Sequence, residues 1–411
     1  MIPKPEKRIY DFERYGLGMF IHYGLYSVMG EGEWIQDFKK ISPEDYAPLI
    51  NKFTAENFSG EEIAKMASEA GIKYATLTTR HHDGFSLYDT RGLNTFDAVH
   101  SPAKRDLVED FVNGCNKYGV IPFFYHTTLD WRVPEFYSDF PAYQQYLRES
   151  VKILCTQYGK IGGLWFDGNW SKEADWEEDA LYGMIRQYQP EAMIINNTGL
   201  NALGETGHYE IDSVTFERGK PFPINGEGAR KYLGSEVCEV LNSHWGYAEN
   251  DFSYKSVTSL IQEFATCRRY GANFLLNVGP MGDGSIRPLD KCTFEMIGKW
   301  ANIYKEALYN VRPAAGVECD GEKFIVKADE PGVYYMFVPN LGIAGSANVV
   351  AQVENMVKAN VTGFPEKIKN IHWIENGEEL SFTQDGDKVE VLCSQYEYGR
   401  NYVVRVAKIR V

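Results

Sequence analysis

Several features that would place this 411-residue chain in a common class are absent from it. The seven cysteines (Cys115, Cys155, Cys238, Cys267, Cys292, Cys319 and Cys393) are odd in number and form no Cys-x-x-Cys pair. That excludes a disulfide framework and a thiolate zinc site, and reads them as reduced core residues of a cytosolic protein. No apolar run approaches the length needed to span a bilayer. The start, Met1-Ile2-Pro3-Lys4-Pro5-Glu6-Lys7-Arg8, is not followed by an apolar stretch of signal-peptide type. The expected location is therefore cytoplasmic, or periplasmic or secreted if an export signal has been removed. Positive charge is in deficit: 42 Lys and Arg against 57 Asp and Glu leave a net charge of -15, which argues against nucleic acid or an anionic membrane as partner. There is no strand–Gly-x-Gly-x-x-Gly–helix unit, no Gly-Lys-Ser/Thr loop, no Gly-x-Ser-x-Gly elbow and no His-Glu-x-x-His. Nucleotide, serine-hydrolase and zinc-protease chemistry lose their usual signatures, and no cofactor or metal is expected.

What is present is a rhythm. Segments 16–24, 73–82, 120–126, 161–167, 193–197, 211–217, 236–242 and 273–279 are apolar, β-branched or aromatic and read as strands. Between them run helical patterns. In residues 105–118 Leu107, Val108, Phe111, Val112 and Cys115 form an amphipathic stripe that Gly119 closes. Further helices are expected over 42–50, 59–70, 140–158, 176–188, 256–270 and 291–309. Eight strands alternating with helices give the cadence of a (β/α)8 barrel. An open doubly wound sheet is the rival. From Val311-Arg312-Pro313 onward the texture becomes short strands (324–326, 333–338, 371–374, 389–392, 402–406) separated by Gly-containing turns, with no convincing helix. The expectation is a (β/α)8-like catalytic domain over 1–312 and a small all-β sandwich over 313–411.

In such a barrel the active site lies at the C-terminal strand ends. Those ends carry His22, His81 and His82, Tyr125 and His126, Asp167, Asn196 and Asn197, Glu217 and Asn277. Four of the eight histidines fall there. Adjacent strand residues face opposite sides, so His81 and His82 share one site only if the chain bends. Asp167, after Leu164-Trp165-Phe166, is costly to bury without a partner. It reads as a positioned nucleophile or base, or as an acid that caps the next helix or pairs with a core Arg. Two carboxylates from separate strands, ringed by imidazole, Tyr and Trp, suit glycoside hydrolysis.

The pieces Phe20-Ile-His-Tyr-Gly-Leu-Tyr-Ser-Val28, Glu33-Trp34, Arg80-His-His-Asp-Gly-Phe85, Leu129-Asp-Trp131, Leu164-Trp-Phe-Asp-Gly168, His244-Trp-Gly-Tyr247 and Asn273-Phe-Leu-Leu-Asn-Val-Gly-Pro280 together resemble the α-L-fucosidases of glycoside hydrolase family 29. The resemblance implies a catalytic barrel followed by a β-sandwich. It also implies a retaining exo-mechanism through a covalent fucosyl-enzyme, and a fucosylated oligosaccharide or glycoconjugate as substrate. By resemblance Asp167 is the nucleophile, and His22, Trp34, His81, His82, Tyr125 and Trp165 form the fucose pocket; the lesser alternative for Trp34 and Trp165 is barrel core. The acid/base is Glu217, in Thr215-Phe-Glu-Arg218, or alternatively Glu236, in a segment like the family's Trp-Glu-x-Cys but with Ser235 in place of Trp. Many members carry an Arg just after strand five. This chain has Asn196-Asn197-Thr198-Gly199, so that role passes to Arg218 or another group, or is absent. These departures leave open a catalytically inactive, lectin-like relative or a glycosidase for a fucose-like sugar such as an α-L-galactoside. The oligomeric state is open, and the sandwich's Tyr334, Tyr335 and Trp373 read as core.

Overall fold

The computed structural model describes residues 1–198, 202–350 and 356–411. Eight parallel strands close into a barrel: β1 (Leu17–Ile21), β2 (Tyr74–Arg80), β3 (Ile121–Thr127), β4 (Gly163–Asp167), β5 (Met193–Asn197), β6 (Ser213–Thr215), β7 (Gly234–Glu239) and β8 (Asn273–Val278), with β8 pairing back to β1. The register sets Tyr125 beside Trp165, and Trp165 beside Ile195. Alternate residues therefore turn inward: Phe20, Tyr74, Phe123, Tyr125, Trp165, Ile195, Cys238 and Leu275 form one packed interior cluster. Leu164 and Phe166, one step along, belong to the separate cluster between barrel and helices. Ile9 and Phe12, on the helix Lys7–Phe12, join the interior cluster at the other end from the strand termini. Gly18 has no side chain for a reason: a Cβ there would stand 2.4 Å from the Tyr74 ring.

Local chemistry sets the helix ends. Asp106 accepts from the Glu109 N–H at 2.9 Å, so the helix starts at Leu107 and not at Arg105; it ends at Gly119 with φ +67. The last barrel helix begins earlier than its pattern suggests, with Pro288 in its first turn, and breaks after Ile303 before a short turn Lys305–Leu308.

The remaining strands, β9 (Val311–Pro313), β10 (Glu318–Cys319), β11 (Phe324–Ala328), β12 (Val333–Pro339), β13 (Met356–Thr362), β14 (Asn370–Trp373), β15 (Phe382–Asp385), β16 (Lys388–Ser394) and β17 (Val404–Arg410), form two antiparallel sheets. Their orders are β10-β13-β16-β15 and β14-β17-β12-β11-β9. Trp373, Met336, Val391 and Ile409 fill the core of this all-β unit. β13 and β15 had no sequence expectation because polar residues interrupt them (Lys358, Asn360; Thr383, Gln384) and one face of each is wet. Five of the cysteines are buried, but Cys319 is half-buried and Cys292 exposed, so the core reading holds for five of seven. Among the described residues no helix is long and apolar enough to cross a membrane.

Candidate active site

At the C-terminal mouth of the barrel lies a cavity of about 360 Å³ lined by Phe20, His22, Trp34, His81, Tyr125, Trp165, Asp167, Trp170, Asn197, Glu217 and Trp245. A larger surface groove, about 750 Å³, runs past Glu44, Arg132 and Glu135, but it holds neither Asp167 nor Glu217.

Asp167 is the last residue of β4, and four donors surround its carboxylate. Trp170 Nε1 (2.9 Å) and Asn197 Nδ2 (3.3 Å) reach Oδ1. The Tyr125 hydroxyl donates to Oδ2 at 3.0 Å, and His82 Nε2 stands 3.4 Å from the same oxygen. Burial alone would raise its pKa. The hydrogen bonds from His82, Trp170 and Tyr125, with the electrostatic pull of the nearby His82 ring, outweigh burial and hold the carboxyl below its ordinary value. Glu217 stands two residues beyond β6, where Phe216 N–H donates to the Glu236 carbonyl at 2.8 Å. Its Oε2 accepts from the same Asn197 amide, at 2.7 Å. Burial and the neighbouring Asp167 charge push Glu217 up to about 7, against hydrogen bonds from Asn197 and Trp245. The Asn197 carbonyl oxygen in turn accepts from Thr215 Oγ1 at 2.9 Å, which fixes the amide's orientation.

The aromatic walls are stacked. His81 lies on Tyr125 (centroids 5.4 Å, interplanar 9°), and Tyr125 lies on Trp165 (5.6 Å, 21°). Trp245 leans on His22 (5.1 Å, 32°), and Asn277 Oδ1 bonds His22 Nδ1 at 2.7 Å. Burial drives His22 down to about 3 and His81 well below the ordinary imidazole value, so both rings are neutral. The His81 Nδ1 atom is buried without a protein hydrogen-bond partner among the described residues. Glu33 ties the loops together: its carboxylate accepts from the Gly246 and Trp245 N–H groups (2.8 and 3.1 Å), next to Trp34.

The structure thus brings His22, Trp34, His81, Tyr125, Trp165, Asp167 and Glu217 onto one cavity, with His82 directly behind Asp167. Parity forbade His81 and His82 from sharing a site on a straight strand. The chain bends: β2 carries a register shift between Thr78 and Arg80 and ends there, and the two rings sit 4.3 Å apart. His126 obeys parity and turns away, its Nε2 bonded to Ser150 Oγ at 2.7 Å. Glu236, fully buried in β7, is not on the cavity wall. It lies behind Trp165, accepting from Trp165 Nε1 at 2.9 Å and from the Tyr74 hydroxyl, and burial raises it to about 7. Arg218 lines a different groove, with Lys220, Glu239 and Lys255. Of the stretch Asn196–Gly199, which begins in β5, Asn196 Nδ2 donates to Tyr182 Oη at 2.8 Å, and Gly199 lies outside the described residues. Among the described residues no group of three or more His, Cys, Asp or Glu is arranged to hold a metal.

Sequence reasoning gave no role to Phe20, Trp170, Asn197 or Trp245. Asn197 was visible as a strand end, and Trp245 as part of the His244–Tyr247 piece. Trp170 sits on a turn, which strand parity cannot reach.

A family model described as Alpha-L-fucosidase matches residues 5–306. The human tissue alpha-L-fucosidase is 27% identical over 332 residues, covering 74% of this chain and 69% of the relative. The structure of alpha-L-fucosidase isoenzyme 1 from Paenibacillus thiaminolyticus superposes with a TM-score of 0.84 at 28% identity, over 98% of each chain. A family 29 alpha-L-fucosidase from Bacteroides thetaiotaomicron, trapped as a covalent intermediate, has the same fold (TM-score 0.83, 22% identity, 100% of this chain and 97% of that one). A match over most of the chain, on a barrel whose mouth carries this carboxylate pair, makes the conclusion direct: the chain belongs to the alpha-L-fucosidase family, glycoside hydrolase family 29.

Proposed function

We propose that this pocket removes terminal α-L-fucosyl residues from glycans with retention of configuration, Asp167 acting as nucleophile and Glu217 as acid/base. The observation that carries the reading is the Asn197 amide, which lies 3.3 Å from one carboxylate and 2.7 Å from the other. That geometry caps the separation of the two oxygens at about 6 Å, near the roughly 5–5.5 Å of retaining pairs and short of the roughly 6.5–9.5 Å that inversion needs for an intervening water. Glu236 has no such relation to Asp167, which supports Glu217 as the acid.

In the first step Asp167 attacks the anomeric carbon as Glu217 gives its proton to the departing glycosidic oxygen, leaving a fucosyl ester on Asp167 and a free aglycone alcohol. Loss of the Asp167 charge removes one cause of the raised Glu217 pKa. Glu217 then takes a proton from water, whose oxygen attacks the same carbon, and Asp167 leaves as carboxylate. His22 and His81 are placed to hydrogen-bond the sugar hydroxyls; the His81 nitrogen that has no protein partner among the described residues fits that role, because a buried polar atom normally has a partner. His82, bonded to Thr127 and facing Asp167, supports the nucleophile instead. Trp34 and Trp165 offer apolar faces to the ring C–H groups. The packed floor of Tyr125, Trp165 and Phe20 supports exo-action. A protein that only bound sugar would have no use for carboxylates driven to opposite protonation states.

Residues 1–312 supply this chemistry in our reading, with residues 313–411 as a supporting sandwich and no cofactor or metal required. The net charge of -15 supports a glycan, not nucleic acid, as partner, and seven free thiols support a reducing, cytoplasmic compartment. The test is Asp167→Gly assayed on an aryl α-L-fucoside. Turnover is expected to vanish, and added azide to restore aglycone release with β-fucosyl azide as product. Unchanged hydrolysis in that variant would end the assignment.

A further inference from the structure

Trp170 enters above only as one donor to Asp167, and its position is unusual. Gly168 has φ +116, and a Cβ there would lie 2.5 Å from the Leu129 nitrogen, so the chain after β4 can turn only with glycine at that point. The turn continues as a single 3-10 helix, Asn169–Ser171, which brings Trp170 back over the carboxylate it has just passed. Its Nε1 donates to Asp167 Oδ1 at 2.9 Å. Yet the residue is 45% exposed, whereas Phe20, Tyr125 and Trp165 on the same cavity are almost wholly buried. The ring lies nearly parallel to Trp34 (6.1 Å, 26°) and meets His82 edge-on (6.2 Å, 88°). Phe38, 78% exposed, packs on Trp34 at 6.4 Å and extends this aromatic rim. A half-exposed indole whose polar atom is committed to the nucleophile is not core, and it lines the cavity that holds Asp167 and Glu217.

We propose that Trp170 is the platform on which the sugar or aryl group next to the scissile bond stacks, and that the same indole N–H positions the nucleophile. This rests on Asp167 being the nucleophile. The first half follows from the free apolar face, which suits the C–H face of a pyranose or an aromatic ring. The second follows from the hydrogen bond to Oδ1, one of four contacts that keep Asp167 ionised and aimed. Trp170 therefore makes recognition of the leaving group and alignment of the nucleophile properties of one side chain.

The experiment compares Trp170→Phe and Trp170→Ala with the parent protein on α-L-fucosyl fluoride, which has no aglycone ring, and on a fucosyl disaccharide. Phe keeps a ring but no N–H; Ala keeps neither. On the fluoride both variants are expected to lose kcat/KM by a similar factor, about tenfold for one hydrogen bond to a charged group, and the acid limb of the pH profile is expected to move up. On the disaccharide Trp170→Ala should lose up to about tenfold more than Trp170→Phe, the scale of one aromatic contact. Equal losses for Ala on both substrates would overturn the platform. An unmoved acid limb in Trp170→Phe would overturn the positioning role. Failure of the underlying assignment would look different: Asp167→Gly would then still hydrolyse the fluoride.

Discussion

Asp167 and Glu217 share one amide donor, yet the pocket drives them apart. Asp167 is held below its ordinary pKa by its donors, whereas Glu217 is lifted to about 7 by burial and by Asp167 itself. With Asp167 as the proposed nucleophile and Glu217 as the proposed acid/base, double displacement needs Asp167 ionised and Glu217 protonated in the free enzyme. The expected kcat/KM profile therefore rises on an acid limb below the usual carboxylate range and falls as pH increases through about 7. Glu217→Gln should lower kcat/KM on a fucosyl disaccharide by about 10²–10⁴-fold, the scale of general acid catalysis, and abolish the alkaline limb. Glu236→Gln should keep that limb, since Gln can accept from Trp165 as the acid does. Its signature is in stability instead. A carboxyl raised from 4.5 to about 7 on folding costs stability as pH rises between those values. Melting temperature should therefore fall less between pH 5 and pH 8 in Glu236→Gln than in the parent; an identical fall would contradict the buried state assigned to Glu236. At this scale the sequence was informative where strand parity applies. Asp167 and Trp165 could be placed on one face by counting, whereas His126, counted with Tyr125 at the mouth, turns to the other side. His82 could not be placed by counting, because a register shift is invisible in a run of β-branched residues.

Elements carry these residues to the mouth, and their packing constrains the sequence as firmly as the chemistry does. The helices Gly60–Glu69 and Leu107–Tyr118 touch backbone to backbone: a Cβ on Gly114 would stand 2.2 Å from the Gly60 carbonyl oxygen. Helix propensity favours Ala over Gly by about 1 kcal/mol, but the clash falls on backbone that cannot rotate away, and overpacking costs about 1–3 kcal/mol. Gly114→Ala is thus expected to lower the denaturation midpoint with KM unchanged; a stabilised variant would show the helices free to separate. Strand periodicity and helix stops made most barrel elements legible. β6 was expected over 211–217 but is three residues long, and Glu217 lies in the loop beyond it. The exposed faces of β13 and β15 hid those strands altogether.

The whole molecule is more unified than its two textures suggest. Phe324, Val326, Tyr335, Val404 and Val406 of the sandwich belong to the same apolar cluster as the barrel's Phe264, Trp300 and Tyr304. Trp300 Nε1 donates to the Val404 carbonyl at 3.1 Å, and Arg14 grips Asp329 with two hydrogen bonds, at 2.6 and 2.8 Å. The change in texture near residue 312 was readable, but the docking was not, since interface and core residues look alike in sequence. Removing residues 314–411 would strip this face, so the truncated chain is expected to aggregate or to lose its cooperative thermal transition; a truncated chain melting like the parent would contradict that coupling. Asp329→Asn should lower the parent's melting temperature at pH 7. The penalty should shrink as pH falls through the depressed Asp329 pKa, where the parent loses the same charge.

The most direct test of the account is to find where a fucosyl group is held during turnover. A slowly released 2-fluoro-fucosyl fluoride should label the protein once, and peptide mapping should place the ester on Asp167, between Gly163 and Trp170. A label on Glu217, Glu236 or any other side chain would contradict the account, as would inverted product with no label.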